Sequence, residues 1–160
     1  MKPLVFPSAA FCSHAVNTFK RPPPTTSLDA MNFTLIVHSA PHSGQGSHTA
    51  LAFARSLLSG GHGLQRVFFY LDGAENALST RVSPQGETDV LAGWQSLARE
   101  HNCELAVCIA AALRRGVLNP EEADRYERTG ANTADHFVIV GLGQLIDAVV
   151  ESDQCITFVN

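Results

Sequence analysis

The chain has 160 residues, of which 45% are hydrophobic and 16% are charged, so its composition is that of one globular domain rather than a disordered chain. The formal net charge is −4, and residues 31–160 carry eight arginines, fourteen acidic side chains and no lysine. This region therefore excludes a Schiff-base lysine and a Walker-type phosphate lysine, and its acidic balance argues against direct contact with nucleic acid.

Residues 1–30 differ in composition from the rest of the chain. They hold both lysines and a run of three prolines. Pro7 interrupts the early apolar run at 4–6, so a secretory signal is not indicated. We expect a disordered N-terminal extension, or an over-long start upstream of Met31, followed by one domain over residues 31–160. No apolar run has the length of a membrane span, so we expect a cytoplasmic protein without membrane contact.

Hydrophobic periodicity after Met31 predicts strands that alternate with helices. Short apolar runs rich in strand formers predict the strands, and apolar residues three and four positions apart predict the helices. Asn119 followed by Pro120 is typical of a helix start, since Asn caps the first turn and proline suits the first helical position. In chain order, we predict strand 32–38, helix 47–59, strand 67–71, helix 87–101, strand 105–108, helix 109–115, helix 119–130, strand 137–140, helix 143–151 and strand 155–159.

This alternation predicts an α/β fold in which parallel strands have helices on both faces. We expect a small doubly wound sheet of five mostly parallel strands, flavodoxin-like in outline. Ligands of such sheets bind outside the carboxyl ends of the strands. Three segments reach that edge: the loop 39–47, the loop 72–86 and the strand–helix junction at Cys108.

Cys108 is the strongest candidate for chemistry. It ends a predicted buried strand and directly precedes a predicted helix, so we expect its sulfur near free backbone N–H groups and the positive end of the helix dipole. Both favour the thiolate, which is the nucleophilic form of cysteine. Arg114 and Arg115 follow within two helical turns and could add positive potential. The alternative interpretation is a buried cysteine that only packs in the core.

The other three cysteines carry weaker indications. None of the four forms a CxxC pair, so neither a zinc ribbon nor a thioredoxin motif is indicated, and we expect free thiols in a reducing cytosol. Cys103 could act as a resolving thiol, but an extended strand over 105–108 would hold it far from Cys108. Cys155 is expected to pack in the last strand, and Cys12 has no assigned role.

The loop after the first strand contains Gly44-Gln45-Gly46. It also has three histidines in or beside it: His38, His42 and His48. A phosphate or flavin would sit at this position, but Thr49 replaces the third small residue of the dinucleotide fingerprint. The glycines are otherwise expected to form a tight turn that approaches the Cys108 pocket. The histidine spacing does not match a zinc site, although one histidine could donate a proton near Cys108 if the loop folds over it.

Several short segments are characteristic when they are taken together. The first is the run from Cys108 to Gly116, CIAAALRRG. The others are the first strand with its Ser-Gly-Gln-Gly-Ser loop, Val67–Tyr70, Trp94–Ala98 and Gly141–Gly143. Together they resemble the DsrE/TusD family of sulfurtransferase subunits, in which the first run corresponds to the active-cysteine segment. The resemblance spans about Asn32 to Val159 and leaves out the residues before Met31.

This resemblance implies a three-layer α/β sandwich and places the family's active cysteine at Cys108. It also implies a heterohexamer with TusB-like and TusC-like subunits. By the resemblance, Cys108 accepts persulfide sulfur from a TusA-like donor and passes it to a TusE-like acceptor, and the sulfur becomes the 2-thio group of the wobble uridine in certain tRNAs. A downstream enzyme would touch the tRNA, and neither a metal nor an organic cofactor is required.

Three alternative functions stay open at this point. A DsrE-type protein would carry sulfur by the same chemistry in dissimilatory sulfur oxidation, where the flow could run the other way. A flavin- or nucleotide-binding module would use the loop at 44–47. A scaffold subunit without chemistry is the third, and the presence of Cys108 argues against it.

Overall fold

The computed structural model describes residues 30–160, so the predicted N-terminal extension and Cys12 fall outside the described residues, apart from Ala30. A 3-10 helix, Leu71–Ala77, follows the second strand. The strands are β1 Asn32–Val37, β2 Gly63–Phe69, β3 Glu104–Cys108, β4 Phe137–Val140 and β5 Gln154–Phe158, and the helices are α1 Gly46–Ser59, α2 Val90–His101, α3 Ile109–Arg114, α4 Pro120–Arg125 and α5 Gly143–Glu151.

The five strands form one parallel sheet in the order β4-β3-β2-β1-β5. The chain steps from β1 to β4 in one direction and then crosses to the other edge, where β5 pairs with β1. The order differs from the 2-1-3-4-5 order of flavodoxin. The predicted α/β class is confirmed, and the sheet is parallel throughout. Because the strands are parallel, the loops after β1, β2 and β3 all lie at the carboxyl ends of the strands.

Helices cover both faces of this sheet. On the face of α1 and α2, Phe69 of β2 meets Trp94 of α2 at a ring-centroid distance of 5.3 Å. On the opposite face, the Thr34 hydroxyl of β1 donates to the Ala148 carbonyl of α5 at 3.4 Å. The chain therefore forms the predicted three-layer sandwich.

The central strands supply most of the core, as expected for parallel strands that are buried on both faces. Large side chains that are less than 2% exposed include Trp94, Phe68, Phe69, Leu35, Leu105, Val67 and Val107. Their burial is the main stabilising contribution, at roughly 25 cal/mol for each Å² of apolar surface removed from water. Over residues 30–160, no helix combines the length and apolar character that crossing a membrane requires.

Several element boundaries differ from the prediction. β2 begins at Gly63, because pairing with β1 extends the strand through Gln65 and Arg66, which interrupt the apolar pattern. The predicted fourth helix ends at Arg125 rather than near Gly130, and Glu127 beyond it has the left-handed backbone (φ 52°) that ends helices. The predicted loop after β2 begins with the 3-10 helix.

Candidate functional site

Cys108 lies at the predicted junction, as the last residue of β3 and the N-cap of α3. Its backbone is extended (φ −61°, ψ 121°), so the helix starts directly after it. The N–H groups of the first helical turn have no acceptor within the helix. The residue is only 3% exposed. Its sulfur therefore sits at a helix start with little direct contact with solvent.

A cavity of about 190 Å³ opens beside Cys108. Tyr70 shares its face of the sheet with Cys108, because Phe69 pairs with Val107 and successive side chains alternate between the faces. The other side chains around the cavity include Leu71, Ile109, Arg114, Arg115 and Leu142. The cavity thus combines apolar walls with two guanidinium groups, and its volume is far above the roughly 10–15 Å³ that one water molecule needs. It has room for an added sulfur atom and the tip of an incoming side chain.

One of the residues that line this cavity, Arg115, forms an ion pair. The Arg115 guanidinium donates to the Asp72 carboxylate through Nη2 at 2.5 Å and through Nε at 3.1 Å. Its Nη1 donates to the Ala111 carbonyl at 3.3 Å. The pair ties the 3-10 helix after β2 to α3. Asp72 is thus held by an arginine of the Cys108–Gly116 segment.

The remaining cysteines in residues 30–160 lie away from the cavity. Cys103 is buried, and burial raises the pKa of its thiol to about 12, so the thiol stays protonated at neutral pH. It lies five positions before Cys108 along extended chain, so the two Cα atoms are roughly 16 Å apart, whereas a disulfide needs Cα atoms within about 7 Å. Cys155 is exposed on β5, an edge strand, rather than packed in the core. Neither cysteine is placed to act as a resolving thiol for Cys108.

The three histidines around the first loop do not lie together in one site. His38 packs its ring against Tyr70 at 5.6 Å and so reaches the wall of the Cys108 cavity. His42 lies beside Arg81 at 3.0 Å and Glu75 at 3.7 Å, and together with His48 it lines a separate cavity of about 80 Å³. Within residues 30–160, no group of three or more His, Cys, Asp or Glu side chains is placed to hold a metal ion.

The glycine loop packs against the C-terminal segment instead of the Cys108 cavity. A Cβ on Gly46 would lie 2.6 Å from the Val159 carbonyl oxygen and 2.6 Å from Cβ of Ser39. The Ser39 hydroxyl also donates to the side-chain oxygen of Asn160. Gly46 is therefore required for close packing, and the expectation that this loop approaches the Cys108 pocket was wrong, because none of its residues lines that cavity.

Tyr70, Leu71 and Leu142 border the Cys108 cavity, although none of them was predicted as a site residue. Tyr70 and Leu71 end the apolar run that predicted the second strand, and Leu142 follows β4, the strand at one edge of the sheet. The register and order of the strands bring these three residues beside the Cys108 cavity. Alternation along β2 is the one signal that could have placed Tyr70 beside Cys108.

Comparison with known proteins gives a consistent result. The DsrE/DsrF-like family matches residues 31–158. The chain is 42% identical over 131 residues to a "Sulfurtransferase TusD homolog" of Vibrio cholerae, covering 82% of this chain and 100% of the relative. It is 44% identical over 128 residues to the corresponding homolog of Pseudomonas aeruginosa, covering 80% and 97%.

Two further proteins are similar at lower sequence identity. The "Putative sulfurtransferase DsrE" of Allochromatium vinosum is 37% identical over 128 residues, covering 80% of this chain and 98% of the relative. The solved structure of the ychN protein from E. coli superposes with a TM-score of 0.65 at 18% identity, covering 80% of this chain and 99% of that chain, which supports the fold alone. The family match over the whole described fold and the relatives above 30% identity show that the chain belongs to the DsrE/DsrF-like family.

Proposed function

We propose that this chain is a sulfurtransferase subunit that carries sulfane sulfur as a persulfide on Cys108. The observation that carries the proposal is the cysteine at a strand–helix junction, nearly buried yet bordering a cavity with two guanidinium groups. The three relatives described above are named as sulfurtransferases, which supports the same chemistry.

The chemistry consists of two thiol–persulfide exchanges without net oxidation. The Cys108 thiolate attacks the outer sulfur of a donor persulfide, the donor S–S bond breaks, and its electron pair leaves on the donor thiolate. Cys108 then holds the outer sulfur as a persulfide. An acceptor thiolate attacks that sulfur, and the electron pair of the second S–S bond returns to Cys108. The start of α3 and the guanidinium groups of Arg114 and Arg115 border the cavity in which both exchanges would take place.

We place this reaction in the cytoplasmic relay that thiolates the wobble uridine of tRNA, with a TusA-like donor and a TusE-like acceptor. The similarity to TusD homologs over nearly their full length supports that pathway. The acidic body of the chain fits a carrier that meets proteins and leaves the tRNA to a downstream enzyme. The DsrE-like relative at 37% identity keeps sulfur oxidation as the second candidate.

Loading the protein with sulfur tests the proposal. The chain is incubated with a cysteine desulfurase, cysteine and a TusA-like carrier, and its intact mass is then measured. We expect a gain of one sulfur atom, about 32 Da, which a TusE-like acceptor removes. A protein that gains no mass beside a fully loaded carrier would contradict the proposal. Delivery to the sulfur-oxidation partner in place of the TusE-like acceptor would select the second pathway.

An exposed apolar stripe on α5 supports assembly with other subunits. Its members are Leu142, Ile146, Val149 and Val150, which are 43–78% exposed. They recur at the spacing of one helical face, although the helix already buries Ala148 on the sheet side. A contiguous apolar surface of this kind is typical of a protein interface. We propose that a TusB-like or TusC-like subunit covers it in a heterohexamer.

Placing a charge in this stripe tests the interface. We expect Ile146→Glu to abolish co-purification with the TusB-like and TusC-like subunits, because a buried unpaired carboxylate strongly disfavours association. The measurement is sedimentation velocity of the co-expressed proteins. Since Ile146 is 62% exposed, the free energy of unfolding of the isolated chain should change by less than about 0.5 kcal/mol. Gln144→Glu, which adds the same charge outside the stripe, should assemble normally; equal assembly of both variants would contradict the interface.

A further inference from the structure

The rim of the Cys108 cavity includes the segment that follows β2. Cys108 is 3% exposed, so an attacking group must pass through the cavity. Leu71 stands on the rim and is 43% exposed. It is the first residue of the 3-10 helix that follows β2, and its backbone is left-handed, with φ at 51°. A branched apolar residue rarely adopts that conformation, so the surrounding structure must hold it there.

The chain before and after Leu71 is fixed on the end of β1. The Tyr70 N–H donates to the Val37 carbonyl at 2.9 Å, and the Gly73 N–H donates to the Tyr70 carbonyl at 3.0 Å. A Cβ on Gly73 would lie 1.9 Å from the same Val37 oxygen, so only glycine fits at that position. These contacts anchor the turn on the β1 side of the cavity.

The Asp72–Arg115 ion pair anchors the turn on the other side. Arg115 is held twice, by Asp72 and by the Ala111 carbonyl of α3, and its side chain is only 22% exposed. Arg114 borders the same cavity but is exposed. The two neighbouring arginines therefore differ in role, since Arg115 braces the turn that carries Leu71.

We propose that Leu71 is a specificity-determining lip that keeps small thiols away from the sulfur on Cys108, and that Asp72 and Arg115 are the positioning residues that hold it. This inference rests on the proposed function of Cys108 as the carrier. The unwanted reaction is attack of a small thiolate on the outer sulfur. It forms a small-molecule persulfide and returns the electron pair of the broken S–S bond to Cys108. A protein acceptor docks on the rim and presents its thiol directly, whereas a free thiol must pass the lip.

The test uses the full chain loaded with sulfur, with glutathione as the small thiol, and follows loss of the added sulfur mass over time. We expect Leu71→Gly to lose sulfur about tenfold faster than wild type, since glycine keeps the left-handed backbone and removes only the side chain. Arg115→Ala and Asp72→Ala should each lose sulfur faster than wild type, to a similar extent. The double variant should lose sulfur no faster than either single variant, because both residues act through one contact. Arg115→Lys, which can still pair with Asp72, should recover part of the protection.

Arg114→Ala is the matched control for charge. Removing either arginine weakens attraction of the anionic thiol, so a purely electrostatic role predicts slower loss in both variants. If Leu71 instead shields the sulfur, only Arg115→Ala should lose sulfur faster than wild type. Alkylation of Cys103, which is buried in wild type, reports any general loosening. A wild type that acquires no sulfur would overturn the carrier function itself. Two results would overturn the role of Leu71 while leaving the carrier function intact. In one, all variants acquire sulfur and lose it to glutathione at the same rate. In the other, alkylation of Cys103 increases in the same variants that lose sulfur faster.

Discussion

Replacing Cys108 by serine should abolish sulfur acquisition completely. A serine hydroxyl is not ionised at neutral pH and forms no persulfide, so the first exchange has no nucleophile. Because the side chains are nearly isosteric and the position is 3% exposed, the fold should persist. The measurement is intact-protein mass after incubation with desulfurase, cysteine and the TusA-like carrier. The wild type should gain one sulfur atom and the variant none.

The other cysteines supply the controls for this result. Cys103→Ser and Cys155→Ser should gain sulfur as the wild type does, because neither thiol borders the Cys108 cavity. The Cys108→Ser protein should also assemble with its partner subunits, which separates loss of chemistry from loss of structure. A labile sulfur mass on Cys108→Ser would show that another residue is the carrier.

Phe69→Ala should lower the free energy of unfolding by about 3–5 kcal/mol, which is much of the stability of a domain of this size. Phe69 is fully buried in β2, where its ring meets Trp94 and Phe137, each at a centroid distance of 5.3 Å. Truncation leaves a cavity between the sheet and α2. Chemical denaturation followed by the fluorescence of Trp94, the single tryptophan of the chain, measures the change.

Val82→Ala is the matched control, since Val82 is 85% exposed and the same kind of truncation there removes no buried surface. Its free energy of unfolding should stay within about 0.5 kcal/mol of wild type. A loss below 1 kcal/mol for Phe69→Ala would mean that the aromatic cluster contributes far less than its burial indicates.

Much of this fold follows from patterns that act over short distances. Apolar runs placed all five strands, and Asn119 followed by Pro120 placed the start of α4, where the Asn119 side chain accepts from the Glu122 N–H at 2.9 Å. Cys108 was located for the same reason, because a strand that passes directly into a helix is visible along the chain.

The surroundings of Cys108 depend on contacts between distant parts of the chain. Asp72 and Arg115 are 43 positions apart, and only the pairing of β2 with β3 brings them together. Leu71 continues an apolar run, and its left-handed backbone arises from anchoring on β1 and α3. Leu142 reaches the cavity because β4 pairs with β3. Residue types and spacing contain no information on such contacts.

The pairing of the last strand with the first has a consequence for synthesis of the protein. β5 lies against β1, and the Asn32 N–H bonds to the carboxylate of Asp153, 121 positions away. The outer edge of β1 therefore stays unpaired on the ribosome until the final strand has emerged. An open, apolar strand edge is a template for aggregation, and parallel pairing over such separations is slow. Prematurely terminated chains that lack β5 should therefore be prone to aggregation. Nascent chains are expected to need chaperone protection until late in translation.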